Sequence, residues 1–285
     1  MIGQEKYYQL AQEASLQIGK HPGLVTIQSL ALKSKKILDV GCGEGTRLNL
    51  FTGKIKTGTG VDVSYFAINK AGKQYPHHKF ILVKGEKLPF SSNSFDLVYS
   101  TFVLEHTQDQ ELFIKEMFRV TKKDGSIAIL CPNYGSPNRR SPVSVEKPLK
   151  KLLLGFLQDL FPTRNSSLSF TKVTPQKKFK NPDDDTTCEP YLLKLQRYVS
   201  HFSNIKIGKS SSLWEIDDQA NSIHQRLFKF LGILNIFPFK HWGPQLFIVL
   251  RKFKPPSCIS RYTTKPKHHL SNQSSFLGRN FCRSS

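Results

Sequence analysis

The sequence predicts an α/β protein organised around a doubly wound parallel sheet, on three observations. Residues 35–46 read as a strand buried on both faces, Ile37-Leu38-Asp39-Val40, that runs into a turn carrying Gly41, Gly43 and Gly45 and then a helix. Gly60-Val61-Asp62-Val63-Ser64 closes the next strand with an acid, as an open parallel sheet does when it holds a ribose. Strand and helix patterns then alternate as far as residue 131, the mark of a doubly wound sheet.

Taken in order, residues 4–18 have helical spacing that Gly19, Pro22 and Gly23 break, and residues 24–32 suit a second short helix. Both are expected to pack across the sheet entrance. The strand over 36–40 leads to a helix over 46–51, and the strand over 57–63 to a helix over 65–74 that Ser64 can cap. A third strand is predicted over 79–84, followed by a turn from Gly85 to Phe90, and a fourth over 95–100. A helix over 109–120 places Leu112, Phe113, Met117 and Val120 on one face. Residues 122–125 read as a turn before a fifth strand over 126–131.

From 132 to 185 the alternation stops and seven prolines punctuate the chain. A helix over 148–161 is expected there, then a mobile loop over 163–185. A helix over 189–199, a strand over 204–209, an amphipathic helix over 223–236 and an apolar strand over 245–251 follow. The two Leu- and Phe-rich helices suit a lid over the sheet. They could also admit an amphiphilic acceptor or touch an anionic membrane. Residues 255–285 have no apolar period and no acid, and read as a basic disordered tail. The expected organisation is one domain over 1–254, with a cofactor half at 1–135 and an acceptor and lid half at 136–254.

A chain of 285 residues can bury a sizeable core. The formal net charge is +21, made of +5 over residues 1–135, +8 over 136–250 and +8 over 251–285. Such a balance admits nucleic acid, an anionic membrane, an acidic substrate or a merely Lys-rich solvated surface. No arginine-rich run with interleaved aromatics favours RNA or single-stranded DNA. The five cysteines are widely spaced without a C-x-x-C, which argues against a disulfide framework or a metal site and for a reducing compartment. Met1 leads into polar sequence, and the longest apolar run, 227–239, is broken by Lys229 and Pro238. It falls short of the about 20 residues that span a bilayer. A cytoplasmic protein is expected, with peripheral membrane contact left open.

Which ribose the site holds depends on the loop. A dinucleotide fingerprint places its third glycine one position later than Gly45, and a P-loop pattern is missing. Glu44 sets an acid where a pyrophosphate would meet helix N–H groups. The loop therefore suits a cofactor with a cationic or zwitterionic group.

At these residues the chain resembles the class I S-adenosylmethionine-dependent methyltransferases, above all the group that includes the ubiquinone/menaquinone-biosynthesis methyltransferases. The matching blocks run from Ile37 to Gly45 and from Gly60 to Ser64, then Leu88-Pro89-Phe90 with Phe95-Asp96-Leu97-Val98. Val103-Leu104-Glu105-His106 follows, and Phe113, Glu116, Arg119 and Val120 complete the set in family order. The resemblance implies a Rossmann-like methyltransferase fold, a mostly parallel seven-stranded sheet with a helical lid insertion, and S-adenosyl-L-methionine as cofactor. By the same resemblance Gly41, Cys42, Gly43 and Gly45 let the backbone approach the cofactor. Asp39 orients its amino-acid end, Asp62 and Val63 hold the ribose, Lys84, Gly85 and Glu86 flank the adenine, and Thr101 or Phe102 lines the transfer site. Lys84 departs from the family, which often has an Asp there to accept from the adenine amino group.

His106 is the candidate general base, since its ordinary pKa lies near neutrality; a capping or structural role for Glu105-His106 is the other reading. Asp183-Asp184-Asp185 reads as helix capping and solvated charge, although a metal or sugar hydroxyls were weighed. His77-His78 and His268-His269 read as surface doublets, and Pro132-Asn133-Tyr134 as a turn or a loop near the acceptor. The expected function is methyl transfer to a small or amphiphilic molecule, at oxygen. Nucleic-acid methylation is the alternative. Ser100-Thr101-Phe102-Val103 lacks the Pro-Pro-aromatic loop of exocyclic-amine enzymes, and Cys131-Pro132 reverses the pair used by cytosine-C5 enzymes. A non-catalytic binding protein is disfavoured by intact Asp39, Gly41, Gly43 and Asp62.

Overall fold

β1 (Ile37–Val40) is buried at all four positions, as a continuous apolar run at the centre of a sheet must be. The computed structural model describes residues 4–16, 18–53, 56–162, 167–176, 182–216 and 222–253. On either side of β1 lie β2 (Thr59–Asp62) and β4 (Phe95–Thr101), both parallel to it. β3 (Lys79–Leu82) extends the sheet beyond β2, and β5 (Thr121–Pro132) pairs with β4, again in parallel. β9 (Gln245–Lys252) is antiparallel to both β5 and β8 (Ile205–Ser211). The seven-stranded order is β3-β2-β1-β4-β5-β9-β8. Chain order reverses between β1 and β4, the switch point at which open α/β sheets take ligands beyond the carboxyl ends of their strands.

Alternation along the strands divides the core in two. Leu38, Val40, Val98, Ile127, Ile129, Leu246 and Ile248 enter one layer. Their neighbours Ile37, Leu97, Tyr99, Ala128, Leu130 and Phe247 enter the other. The first layer is covered by α5 (Gln110–Val120) and α7 (Leu192–Val199), the second by α2 (Pro22–Lys33) and α3 (Thr46–Thr52). α4 (Tyr65–Gln74) is capped by Ser64 as predicted, its Oγ accepting from Ala67 N at 3.2 Å. Asp109 caps α5 in the same way through Leu112 N at 2.9 Å. α1 (Gln4–Leu16) precedes this framework.

The downstream half departs from expectation in several places. The turn predicted at 122–125 belongs to the long β5, whose register against β4 shifts between Phe95 and Leu97. Part of the expected mobile loop is a second sheet, in which β6 (Thr171–Lys172) pairs with β7 (Cys188–Glu189). Of that loop, 163–166 and 177–181 lie outside the described residues. α7 starts three residues later than predicted because β7 and Pro190 occupy its expected beginning. The two helices expected as a lid are α6 (Pro148–Leu160) and α8 (Ile223–Ile233). Among the described residues no helix is long and apolar enough to cross a membrane. The expected tail at 255–285 lies outside them.

Candidate functional site: a cavity at the switch point

The glycine turn is fixed by its own backbone. Gly41 N and Cys42 N both donate to Val61 O, at 2.8 and 2.9 Å, which locks the end of β1 to β2. Gly41 has φ +79°, and a Cβ there would come within 2.2 Å of Val103 Cγ2. Gly45 serves packing: a Cβ would lie 2.7 Å from Phe80 Cζ, and the residue does not line the cavity.

The cavity opens above this turn and has a volume of about 750 Å³, within the range of small-molecule sites. Of the predicted residues, Gly41, Cys42, Gly43, Asp62, Val63, Gly85, Glu86, Thr101 and His106 line it. Asp62 closes β2 with one oxygen accepting from Gly43 N at 2.9 Å and the other from Ser64 N at 2.8 Å. Burial raises its pKa, against the pull of these N–H groups. Each oxygen keeps lone-pair capacity for a hydroxyl.

Two more of the predicted residues lie off the cavity wall. Lys84 is exposed and away from the cavity wall, because the strand ends at Leu82 and Gly85 turns the chain with φ +70°. Asp39 is buried outside the cavity lining. It accepts from Tyr99 Oη at 2.9 Å, while its other oxygen has no partner among the described residues. Burial pushes the Asp39 carboxyl up to about 7.

The loop after β3 is aimed by a clamp from α5. Glu116 Oε2 accepts from Leu88 N at 2.8 Å, and Arg119 donates to Leu88 O at 2.9 Å and Phe90 O at 2.6 Å. Arg119 Nε also meets Glu116 Oε1 at 2.6 Å. The Leu-Pro-Phe block and the Glu-x-x-Arg block are therefore two halves of one fastening. Glu86 is held in turn by Gln108 N at 2.7 Å and Asp109 N at 3.2 Å.

Sequence reasoning gave no site role to Tyr8, Arg47, Asp183 or Asp185, all of which line the cavity. Arg47 lies in the first turn of α3, donates to Thr101 Oγ1 at 3.3 Å and rests 5.1 Å above the Phe102 ring. Its position directly after the glycine turn was the available signal. The aspartates lie 77 residues or more beyond His106 in sequence, so no local pattern joins them. Tertiary contacts do: Thr187 N donates to Glu105 O at 2.8 Å and Thr187 Oγ1 to Thr107 O at 2.7 Å. Asp185 then stands 2.9 Å from His106 Nδ1, and Asp183 accepts from Tyr134 Oη at 2.6 Å. Asp184 is buried, so the acidic run is not the solvated helix cap expected.

Glu105 is 1% exposed, lies 3.7 Å from His106 Nε2 through Oε1, and has no partner for Oε2 among the described residues. Burial raises its carboxyl to about 7, opposed by the His106 charge. For His106 burial favours the neutral ring, yet Asp185, Glu105 and Asp183 together outweigh it and push the pKa up to about 9. The acids around it therefore favour the protonated ring, against the expected base role.

Two further readings change. His78, expected on the surface, is buried, with Nδ1 accepting from Gly58 N at 3.0 Å. Asn133 is more than a turn residue: it is fully buried and donates to His241 O at 2.8 Å and Gly243 O at 2.9 Å.

A family model described as a methyltransferase domain matches residues 38–129. A probable S-adenosylmethionine-dependent methyltransferase of Mycobacterium tuberculosis is 30% identical over 124 residues, 42% of this chain and 45% of that protein. A malonyl-[acyl-carrier protein] O-methyltransferase of Hamiltonella defensa is 30% identical over 191 residues, 66% of this chain and 64% of that protein. The chain thus spans less than two thirds of either curated relative. The crystal structure of an S-adenosylmethionine-dependent methyltransferase from Mesorhizobium loti shares the fold, with TM-score 0.53 and 16% identity over 84% of this chain and 100% of that one. The matched region runs from β1 through most of β5, the cavity lies at the switch point between β1 and β4, and over this region the chain is similar to S-adenosylmethionine-dependent methyltransferases.

Proposed function

We propose that the protein transfers the methyl group of S-adenosylmethionine to oxygen on a small or amphiphilic acceptor, with Glu105 as the proton acceptor. The observation that carries this reading is the buried, unpartnered Glu105 Oε2 in the cavity wall. A carboxyl raised to about 7 is matched to general-base work near neutral pH.

The cavity fits the cofactor by the chemistry of its lining. Asp62 offers two oxygens to the ribose hydroxyls. Arg47, whose Nε has no partner among the described residues, offers a cation to the carboxylate. Glu44, Asp62, Glu105, Asp183 and Asp185 surround the rest with acid, which favours a sulfonium. Bound there, S-adenosylmethionine supplies an activated methyl group on that sulfonium. The protein's own task is to align the acceptor, exclude water and take its proton. His106, held charged by Asp185, is placed to stabilise the Glu105 carboxylate and orient it.

The same acidic lining disfavours a phosphate-bearing acceptor, despite the basic composition of the chain. The Hamiltonella relative is named for methylation at oxygen, which supports the reading. The test is mass spectrometry of a cell extract incubated with the protein and isotope-labelled cofactor, followed by Glu105→Gln on the product found. A labelled ether or ester is expected, with wild-type turnover rising through about pH 7 and Glu105→Gln losing that rise while cofactor affinity stays. Label on nucleic acid, or an unchanged pH profile in the variant, would overturn it.

A further inference from the structure

α6 buries charge and exposes leucine, and α8 leaves an apolar face uncovered. On α6 the charged side chains Lys151 and Asp159 are buried. Lys151 Nζ meets Glu189 Oε2 at 2.5 Å and Tyr134 O at 2.7 Å. Asp159 accepts from Tyr191 Oη at 2.5 Å and from Trp242 Nε1 at 2.8 Å. The opposite face carries Leu149, Leu153, Leu157 and Leu160, at helical spacing and 40–67% exposed. α8 turns Phe228 and Gly232 inward and leaves Leu227, Phe230, Ile233 and the capping Leu234 at 51–62% exposed.

Both helices pack on one aromatic group: Phe156 of α6 lies 6.1 Å from Trp242, and Phe228 of α8 lies 5.4 Å from it. Of the 21 large hydrophobic side chains exposed among the described residues, 14 lie in residues 145–161 and 223–237. A concentration of that kind marks an interaction surface.

We propose that the outer faces of α6 and α8 form a docking surface for an anionic lipid bilayer. Charge decides the occupant. From residue 222 to 240, the stretch that contains α8, the chain has three Lys and Arg and no acid, and Arg226 and Lys229 lie on α8 itself. On α6 the exposed charge is Lys150, while the helix's acid, Asp159, is turned inward. Leu and Phe beside Lys and Arg suit the boundary between acyl chains and anionic headgroups. A second copy of the same face would bring like charge against like charge. The surface stands independently of the acceptor proposed above.

The test is flotation of the full chain with vesicles of phosphatidylcholine, with and without about one third phosphatidylserine. Binding to the anionic vesicles alone is expected, weakened by 0.5 M salt on the order of tenfold. The Leu153→Glu, Phe230→Glu double variant should float at least about tenfold less. Its circular dichroism and cofactor affinity should match wild type, which shows that the fold persists. No flotation, flotation undiminished in the double variant, or a concentration-dependent dimer in sedimentation that this variant abolishes would each overturn the proposal.

Discussion

The sheet and the α6 region use the same residue types in opposite ways. In the sheet, Leu, Ile and Val face inward in two layers, and the half-buried Asp62 and the buried Glu105 stand at a strand end and a turn in the cavity wall. On α6, leucines face outward and buried charge serves as an anchor. Burying a Lys–Glu pair is costly unless its geometry is good, and here Ser141 N and Oγ, at 2.8 and 2.9 Å, complete the shell of Glu189. Buried polarity therefore marks a binding site in the one and a fastening in the other.

The largest effect should come from breaking the fastening. Lys151→Ala leaves Glu189 buried without its cation and should cost about 3–5 kcal/mol of stability in urea unfolding. A loss below about 1 kcal/mol would mean that α6 is not held from within.

In the sheet the corresponding change acts on affinity. Asp62→Ala removes the acceptor proposed for the two ribose hydroxyls, at about 1.5–3 kcal/mol each. Titration calorimetry should show cofactor binding weakened by about 100-fold or more. Unchanged affinity would remove Asp62 from the ribose.

The next effect is a dependence on pH. Asp39 and Glu105 have folded pKa values of about 7, above their ordinary 3.8 and 4.5, so the folded state holds protons that the unfolded chain has released. Stability should therefore fall as pH rises from about 4 to 7. His106, raised from 6.5 to about 9, continues the trend: its ion pair contributes fully below 6.5 and is lost as pH passes 9. Urea midpoints should decline across this range, and Asp39→Asn should flatten the segment below 7. A midpoint that climbs from pH 5 to 7 would contradict the burial of these acids.

The smallest effects distinguish surface from site. Leu153→Ala on the outer face of α6 should stay within about 0.5 kcal/mol of wild type, whereas Ile129→Ala inside the sheet should cost about 2–5 kcal/mol. Lys84→Ala should leave cofactor affinity within about twofold, since an exposed side chain off the cavity wall makes no contact to lose.

The sequence by itself determined the sheet and the position of the site. Apolar runs of strand length, the glycine turn and Asp62 are local patterns, and local backbone chemistry obeys them. It also carried the clamp motifs, though not their purpose, because Leu88 and Arg119 meet only when β3's loop and α5 are folded together. Only the tertiary structure brought Asp183 and Asp185 to His106, since that contact depends on Thr187 crossing to Glu105 and Thr107. The structure likewise decided which face of α6 is buried. An amphipathic pattern states that a helix has two faces, but partners such as Glu189 and Trp242 choose the inner one, and here they chose the charged face.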